Sequence, residues 1–133
     1  MYRKRMESAV GARKNAYAPY SGYRVGAALL AEDGRIFTGC NVENAAYSPT
    51  LCAERVAVGK AVSEGATRFT AIAVVGGAGE RPSDPCTPCG VCRQVLAEFS
   101  APELIVLTGT PEHFTAHTLA DLLPFSFGAG ELE

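Results

Sequence analysis

Four side chains on two short stretches have the types and spacing for metal-assisted hydrolysis. Cys89 and Cys92 lie in Pro88-Cys89-Gly90-Val91-Cys92-Arg93-Gln94, a Cys-x-x-Cys pair opening an expected helix. Cys52 and Glu54 lie in Leu51-Cys52-Ala53-Glu54-Arg55, at the opening of another. Unpaired N–H groups and the helix macrodipole favour anions there, so Cys52 and Cys89 should ionise readily. Cys92 is one turn past Cys89 and shares its helix face. Two thiolates from one helix and a third from the other can hold one zinc ion. The fourth tetrahedral position then stays open, which is the pattern of a catalytic rather than a structural site.

The charge balance asks for more. Zinc with three thiolates is net anionic, which opposes ionisation of a water at the open position. Arg55, one turn after Cys52, is the cation expected to hydrogen-bond the sulfurs and offset their charge; Arg93 directly follows Cys92. Glu54 is placed to stand beside the water without being a ligand, taking its proton as general base and returning it as general acid. Away from such a cysteine, the same glutamate would read as a first-turn acid that steadies the helix dipole. Cys86 leaves an alternative open. Cys86-Thr87-Pro88-Cys89 is also Cys-x-x-Cys, a redox pair or a different metal clip, and Cys86 with the other three would close a four-sulfur site. Position favours Cys52, Cys89 and Cys92, because Cys86 precedes the Thr87-Pro88 cap signal whereas Cys92 falls inside the helix. Cys40 reads as a small buried strand residue. His113 and His117 fall in a strand-like segment and read as edge residues.

The elements that must position these groups follow in order. A first helix is expected from about Glu7 to Ala16, then a tyrosine-rich loop through Pro19 and Gly22. Tyr23 to Leu30 and Arg35 to Asn41 read as strands joined at Glu32-Asp33-Gly34. Ser48-Pro49 carries the signature of an N-cap with proline at the first helical position, so the helix bearing Cys52 is expected from there to about Ser63. Phe69 to Val75 is a buried strand, and Gly76 to Pro88 a loop dense in glycine and proline. Thr87-Pro88 repeats the cap signature, and Val91, Cys92, Val95, Leu96 and Phe99 mark one helix face. Leu104 to Leu107 reads as a central strand and Phe114 to His117 as an edge strand. Thr118 with Asp121 caps a short last helix reaching Leu123. Pro124 to Gly128 closes the ordered chain. The order α-β-β-α-β-α-β-β-α predicts an α/β fold, with an antiparallel hairpin at one edge of the sheet and helix crossovers between parallel strands.

The bulk numbers exclude several classes. The sequence has 133 residues, 47% hydrophobic and 20% charged, which suits one domain over residues 1–133. A net charge of −2 gives no field that gathers polyanions, so no nucleic-acid partner is expected. No apolar run reaches the roughly 18 residues of a membrane span, and no signal-peptide core opens the chain. Five cysteines, three of them crowded into Cys86, Cys89 and Cys92, suit a reducing, cytoplasmic setting.

Cys52-Ala53-Glu54-Arg55 and Pro88-Cys89-Gly90-Val91-Cys92-Arg93-Gln94 are joined by two further segments. These are Tyr20-Ser21-Gly22-Tyr23-Arg24-Val25-Gly26-Ala27-Ala28 and Gly39-Cys40-Asn41-Val42-Glu43-Asn44-Ala45-Ala46-Tyr47. Together they resemble the small homotetrameric zinc-dependent cytidine deaminases over about residues 7 to 128. The paired zinc motifs alone point to the broader zinc-deaminase superfamily, and the Asn41/Glu43 segment narrows it to nucleoside enzymes. The resemblance implies a three-layer α-β-α sandwich around a mixed sheet of about five strands, and one zinc ion per subunit. It implies hydrolysis of cytidine and deoxycytidine to uridine and deoxyuridine, with a metal-activated water attacking C4. Glu54 would carry the proton to N3 and assist the departure of ammonia. Asn41 and Glu43 would hold the ribose 3′-hydroxyl, the backbone at Ala53 would contact the base, and Tyr23 would stand where the family commonly has phenylalanine against the ring. Phe127, and with it Tyr47, would contribute across a subunit interface. Cys86 departs from the family pattern. A blasticidin S deaminase is the nearest enzymatic rival, and a non-catalytic zinc module or a dithiol redox protein the rival from another class.

Overall fold

The central strands read as unbroken apolar runs because both faces of the sheet are covered. β1 (Arg24–Ala31) and β3 (Phe69–Gly77) alternate their side chains between two cores. Ala28, Ala73 and Val75, with Leu107, pack on Met6 and Ala9 of α1 (Tyr2–Arg13). Ala27, Leu29, Ile72, Val74 and Val106 face α2 (Ala53–Ser63), α3 (Gly90–Glu98) and the short α4 (Leu119–Leu122), through Ala57, Val58, Ala61, Leu96 and Leu119. The result in this computed structural model is an α/β three-layer sandwich with α1 alone on one side. Residues 2–83 and 85–132 are described; Met1, Asp84 and Glu133 lie outside them, and with Asp84 one position of the loop expected at Gly76 to Pro88.

β2 (Ile36–Cys40), β4 (Ser100–Gly109) and β5 (Phe114–Thr118) complete a five-stranded mixed sheet in the order β2-β1-β3-β4-β5. β1 is antiparallel to β2 and β3, β3 is parallel to β4, and β4 is antiparallel to β5. The crossover through α3 therefore links parallel neighbours, as the element order predicts. Two glycines let helices lie directly on strands. A Cβ on Gly26 would collide with the Ala9 carbonyl oxygen, and one on Gly39 would meet the Ala53 carbonyl oxygen at 2.5 Å. Among the described residues no helix is long and apolar enough to cross a membrane.

Several boundaries differ from expectation, each for a reason of pairing. α1 runs Tyr2–Arg13 rather than from Glu7 to Ala16, because Met6 anchors its first turns in the core and Tyr17 must be extended to pair. The Tyr17 amide donates to the Asn41 carbonyl at 3.0 Å, and the Glu43 amide to the Tyr17 carbonyl at 2.9 Å. The Ser48-Pro49 signal does not start α2. Val42 and Leu51 exchange two backbone hydrogen bonds of 2.9 Å, which keeps Leu51 extended and delays the helix to Ala53. α3 likewise starts at Gly90, after Pro88, and Val91 is exposed rather than on the buried face. β4 is longer than Leu104 to Leu107. Its first residues pass through a register shift between Phe69 and Ala71 of β3, where Pro102 needs no ladder partner. The Thr118 cap holds, its hydroxyl accepting from the Asp121 amide at 3.2 Å, while α4 ends one residue before Leu123. A last 3₁₀ turn, Ala129–Leu132, follows the segment expected to close the chain.

Candidate active site

Cys52 and Cys89 are the N-cap residues of α2 and α3. Both have extended backbones, with ψ of 154° and 169°, and neither spends its side chain on capping. Their sulfurs are thus delivered into the gap between two helix N-termini, where partial positive charge gathers. Cys92, one turn into α3, is fully buried and completes the group. The three sulfurs lie within 4.8 Å of one another, and Cys52 Sγ stands 3.8 Å from Cys89 Sγ. A tetrahedral zinc ion with Zn–S bonds of about 2.3 Å sets its sulfurs ~3.8 Å apart, so the donor set fits that ion. Among the described residues no fourth cysteine, histidine or carboxylate joins the group. Cys86 stays outside it, and no cysteine is in a disulfide.

Arg55 lies beside Cys52. Its Nη2 donates to Cys52 Sγ at 3.6 Å and to the Thr50 carbonyl at 3.2 Å, while its Nε is buried without a described partner. Arg93 turns away, donating to the carbonyls of Pro88 and Leu122 at 2.7 and 2.6 Å. The thiols share charge unequally. A hydrogen bond from Cys92, reinforced by Arg55, brings Cys52 down to about 5. The same bond to Cys52, with burial, pushes Cys92 upward. Glu54, only 4% exposed, is pushed up to about 7, first by burial and then by the neighbouring Cys52. A carboxyl held near neutrality can both take and give a proton.

Glu54, Cys52 and Cys89 open onto one cavity of about 180 Å³, lined also by Asn41 and Ala53, with Cys86, Thr87, Val25, Thr50 and Leu51. The Asn41 carboxamide is tied to β1: Oδ1 accepts from the Val25 amide at 2.9 Å, and Nδ2 donates to the Tyr23 carbonyl at 2.8 Å. Glu43 and Tyr47 line a neighbouring hollow of about 420 Å³ with Tyr20, Ser21, Asn44 and Thr50. There the Glu43 carboxylate accepts from the Tyr20 and Ser21 amides at 2.9 and 3.1 Å and from the Ser21 hydroxyl, which holds it below the usual carboxylate range. Thr50 borders both hollows. Tyr23 flanks Gly76 beside Cys86, since a Cβ on Gly76 would meet Cys86 Sγ at 2.9 Å and the Tyr23 ring at 3.1 Å. Tyr47 and Phe127 are 73% and 55% exposed, and the structure does not bring them to the cavity. The Phe127 carbonyl accepts from Gln94 Nε2 at 2.8 Å. Sequence reasoning gave Thr50 and Gly76 no part here, and nothing in their residue types signals one.

Known proteins resemble this chain in sequence and fold. The model for the cytidine and deoxycytidylate deaminase zinc-binding region matches residues 1–108. A cytidine deaminase of Sporosarcina psychrophila is 51% identical over 122 residues, 91% of this chain and 87% of its own. The crystal structure of a cytidine deaminase from Burkholderia pseudomallei superposes with a TM-score of 0.87 at 44% identity, covering 96% of this chain and 99% of that one. A blasticidin-S deaminase of Bacillus cereus is more distant, 30% identical over 109 residues, 79% of this chain and 77% of its own. The sulfur group, the buried acid and these likenesses agree: the chain belongs to the cytidine and deoxycytidylate deaminase family of zinc-dependent hydrolases.

Proposed function

We propose that the protein hydrolyses cytidine and 2′-deoxycytidine to uridine and 2′-deoxyuridine with release of ammonia, a step of pyrimidine salvage. The observation that carries this reading is Glu54, buried at one small cavity with Cys52 and Cys89, whose sulfurs are grouped with that of the buried Cys92 at zinc spacing. Bound at Cys52, Cys89 and Cys92, zinc supplies a Lewis acid that lowers the pKa of water. Glu54 takes a proton from the attacking water and delivers it to N3 as the new C4–O bond forms. It then takes the proton of the new C4 hydroxyl and hands it to the amine as the C4–N bond breaks, so water plus cytidine balances to uridine plus ammonia. Arg55 keeps the sulfur charge from opposing the departure of the water's proton.

Asn41 and Glu43 hold the ribose. Each keeps capacity for it: Asn41 Oδ1 has a second lone pair and Nδ2 a second hydrogen, and Glu43 Oε2 accepts only from Ser21. The backbone at Ala53 meets the base edge, and Tyr23 borders the ring through the wall it shares with Gly76 and Cys86. The chain works as one domain, residues 1–133, and assembles as a homotetramer in the cytoplasm. The exposed aromatics Tyr20, Tyr47, Phe125 and Phe127 support that assembly, with Phe127 and Tyr47 completing a neighbour's site. The test is loss of cytidine absorbance with purified protein, wild type beside Glu54→Gln, and blasticidin S run in parallel. Wild-type turnover of cytidine, reduced by about 10²–10⁴-fold in the variant at equal zinc content, is the expected result. A zinc-loaded wild type inactive on cytidine would sink the reading.

A further inference from the structure

Arg13 has no part in the chemistry above, yet it is among the most heavily bonded side chains of the protein. It ends α1, on the sheet face opposite the cavity, and is 3% exposed. Its backbone is pressed onto β1, for a Cβ on Gly26 would stand 2.6 Å from the Arg13 nitrogen. The guanidinium then reaches past the strand end. Nε donates to the Arg24 carbonyl at 3.1 Å, Nη1 to the Glu80 carbonyl at 3.0 Å, and Nη2 to the Gly77 carbonyl at 2.7 Å and to the Gly79 carbonyl. Four of its five N–H donors are thus spent on one end of the β1–β3 ladder and the turn that follows.

The rung so clamped is Arg24 with Gly77, and the next rung is Val25 with Gly76. Val25 lines the substrate cavity, and Gly76 abuts both Cys86, another lining residue, and Tyr23. From the other side Asn41 ties the residues flanking Arg24, through the Tyr23 carbonyl and the Val25 amide. The cavity wall is therefore one backbone rung from a clamp that lies behind the sheet, whereas the sulfur group rests on the N-termini of α2 and α3. A guanidinium suits this task because its planar fork fixes several carbonyls at once, which an ammonium on a flexible stem cannot do.

We propose that Arg13 is a positioning residue for substrate: it holds the cavity wall at Val25 and Cys86 in place, through Gly76 and Tyr23 packed beside it, and leaves the metal group unaffected. This rests on the deaminase reading for its kinetic consequence but not for its structural one. Removing the clamp lets the Arg24–Gly77 rung fray and the wall move, which weakens ground-state binding more than the chemical step.

The test compares Arg13→Met with Met6→Ala, which weakens the same helix without touching the clamped carbonyls. Both are read as zinc-loaded protein. In Arg13→Met, KM for cytidine is expected to rise at least tenfold, with kcat within threefold and one zinc per chain retained. The rate of Cys86 alkylation by N-ethylmaleimide, located by peptide mass spectrometry, should also change by at least fivefold. Met6→Ala should lower thermal stability and shift neither KM nor the alkylation rate. If Arg13→Met does not fold, Arg13→Lys carries the test, with a KM raised severalfold supporting the clamp and an unchanged KM overturning it. Equal effects in the two α1 variants, or a kcat loss that follows zinc loss, would overturn it as well. Should wild type fail on cytidine, the deaminase reading falls, and the alkylation rates still decide the clamp.

Discussion

Gly39→Ala isolates how α2 places Cys52 and Glu54. The added Cβ would stand 2.5 Å from the Ala53 carbonyl oxygen and 2.6 Å from the Ala57 nitrogen, against an ordinary contact beginning at 3.4 Å. Both obstacles are backbone, so no side chain can swing aside and α2 must lift by roughly 1 Å at its first turn. Overpacking of this kind costs about 1–3 kcal/mol, or roughly 3–5 °C of melting temperature per kcal/mol for a chain this size. The larger effect falls on function. Cys52 and Glu54 ride on α2 while Cys89 and Cys92 ride on α3, so the lift separates the acid from the other half of the site. A misplacement of about 1 Å at a reacting centre can lower turnover by 10²-fold. Gly59→Ala is the control on the same helix, exposed and with nothing within 4 Å of the new Cβ. It should raise stability by about 0.5–1 kcal/mol and leave activity unchanged. Thermal melts, zinc content and cytidine kinetics on the pair decide the matter. Wild-type melting and turnover in Gly39→Ala would refute the claim that α2 is held by direct backbone contact with β2.

Cys52→Ser, Cys89→Ser and Cys92→Ser should each lower bound zinc well below one per chain, whereas Cys86→Ser should keep it, as read by atomic absorption after dialysis. Glu43 gives a pH dependence. Its pKa is depressed by the Ser21 hydroxyl and two loop amides, so its stabilising share is present above the unfolded value of about 4.3 and fades as pH falls through the folded one. Glu43→Gln should therefore melt below wild type at pH 6, and the gap should narrow as pH falls below the unfolded value and through the folded one in paired melting scans.

Much of this was legible in the chain itself. Element order, strand pairing at Glu32-Asp33-Gly34, the Thr118 cap and the Cys52/Cys89/Cys92 group follow from local signals, and all describe the molecule. What local signals missed was set by partners distant in sequence. Ser48-Pro49 resembles a helix start, but Leu51 is claimed by Val42. Pro102 masks the first half of β4 because a ladder irregularity accommodates it. Asn41 and Glu43 stand out as a polar pair, yet their bonds to Tyr23, Val25, Tyr20 and Ser21 depend on where the chain returns. Arg13 reads as an ordinary basic residue at a helix end, since nothing in the sequence shows that four carbonyls converge on it.

Hydrolysis at this site depends on an open three-sulfur zinc position facing a buried acid. Zinc-edge X-ray absorption on the purified protein tests it most directly. Three sulfur neighbours at about 2.3 Å and one lighter atom nearer about 2.0 Å are expected, unchanged in Cys86→Ser. A shell of four sulfurs that falls to three in Cys86→Ser would contradict it, because the position needed for water would then belong to the protein.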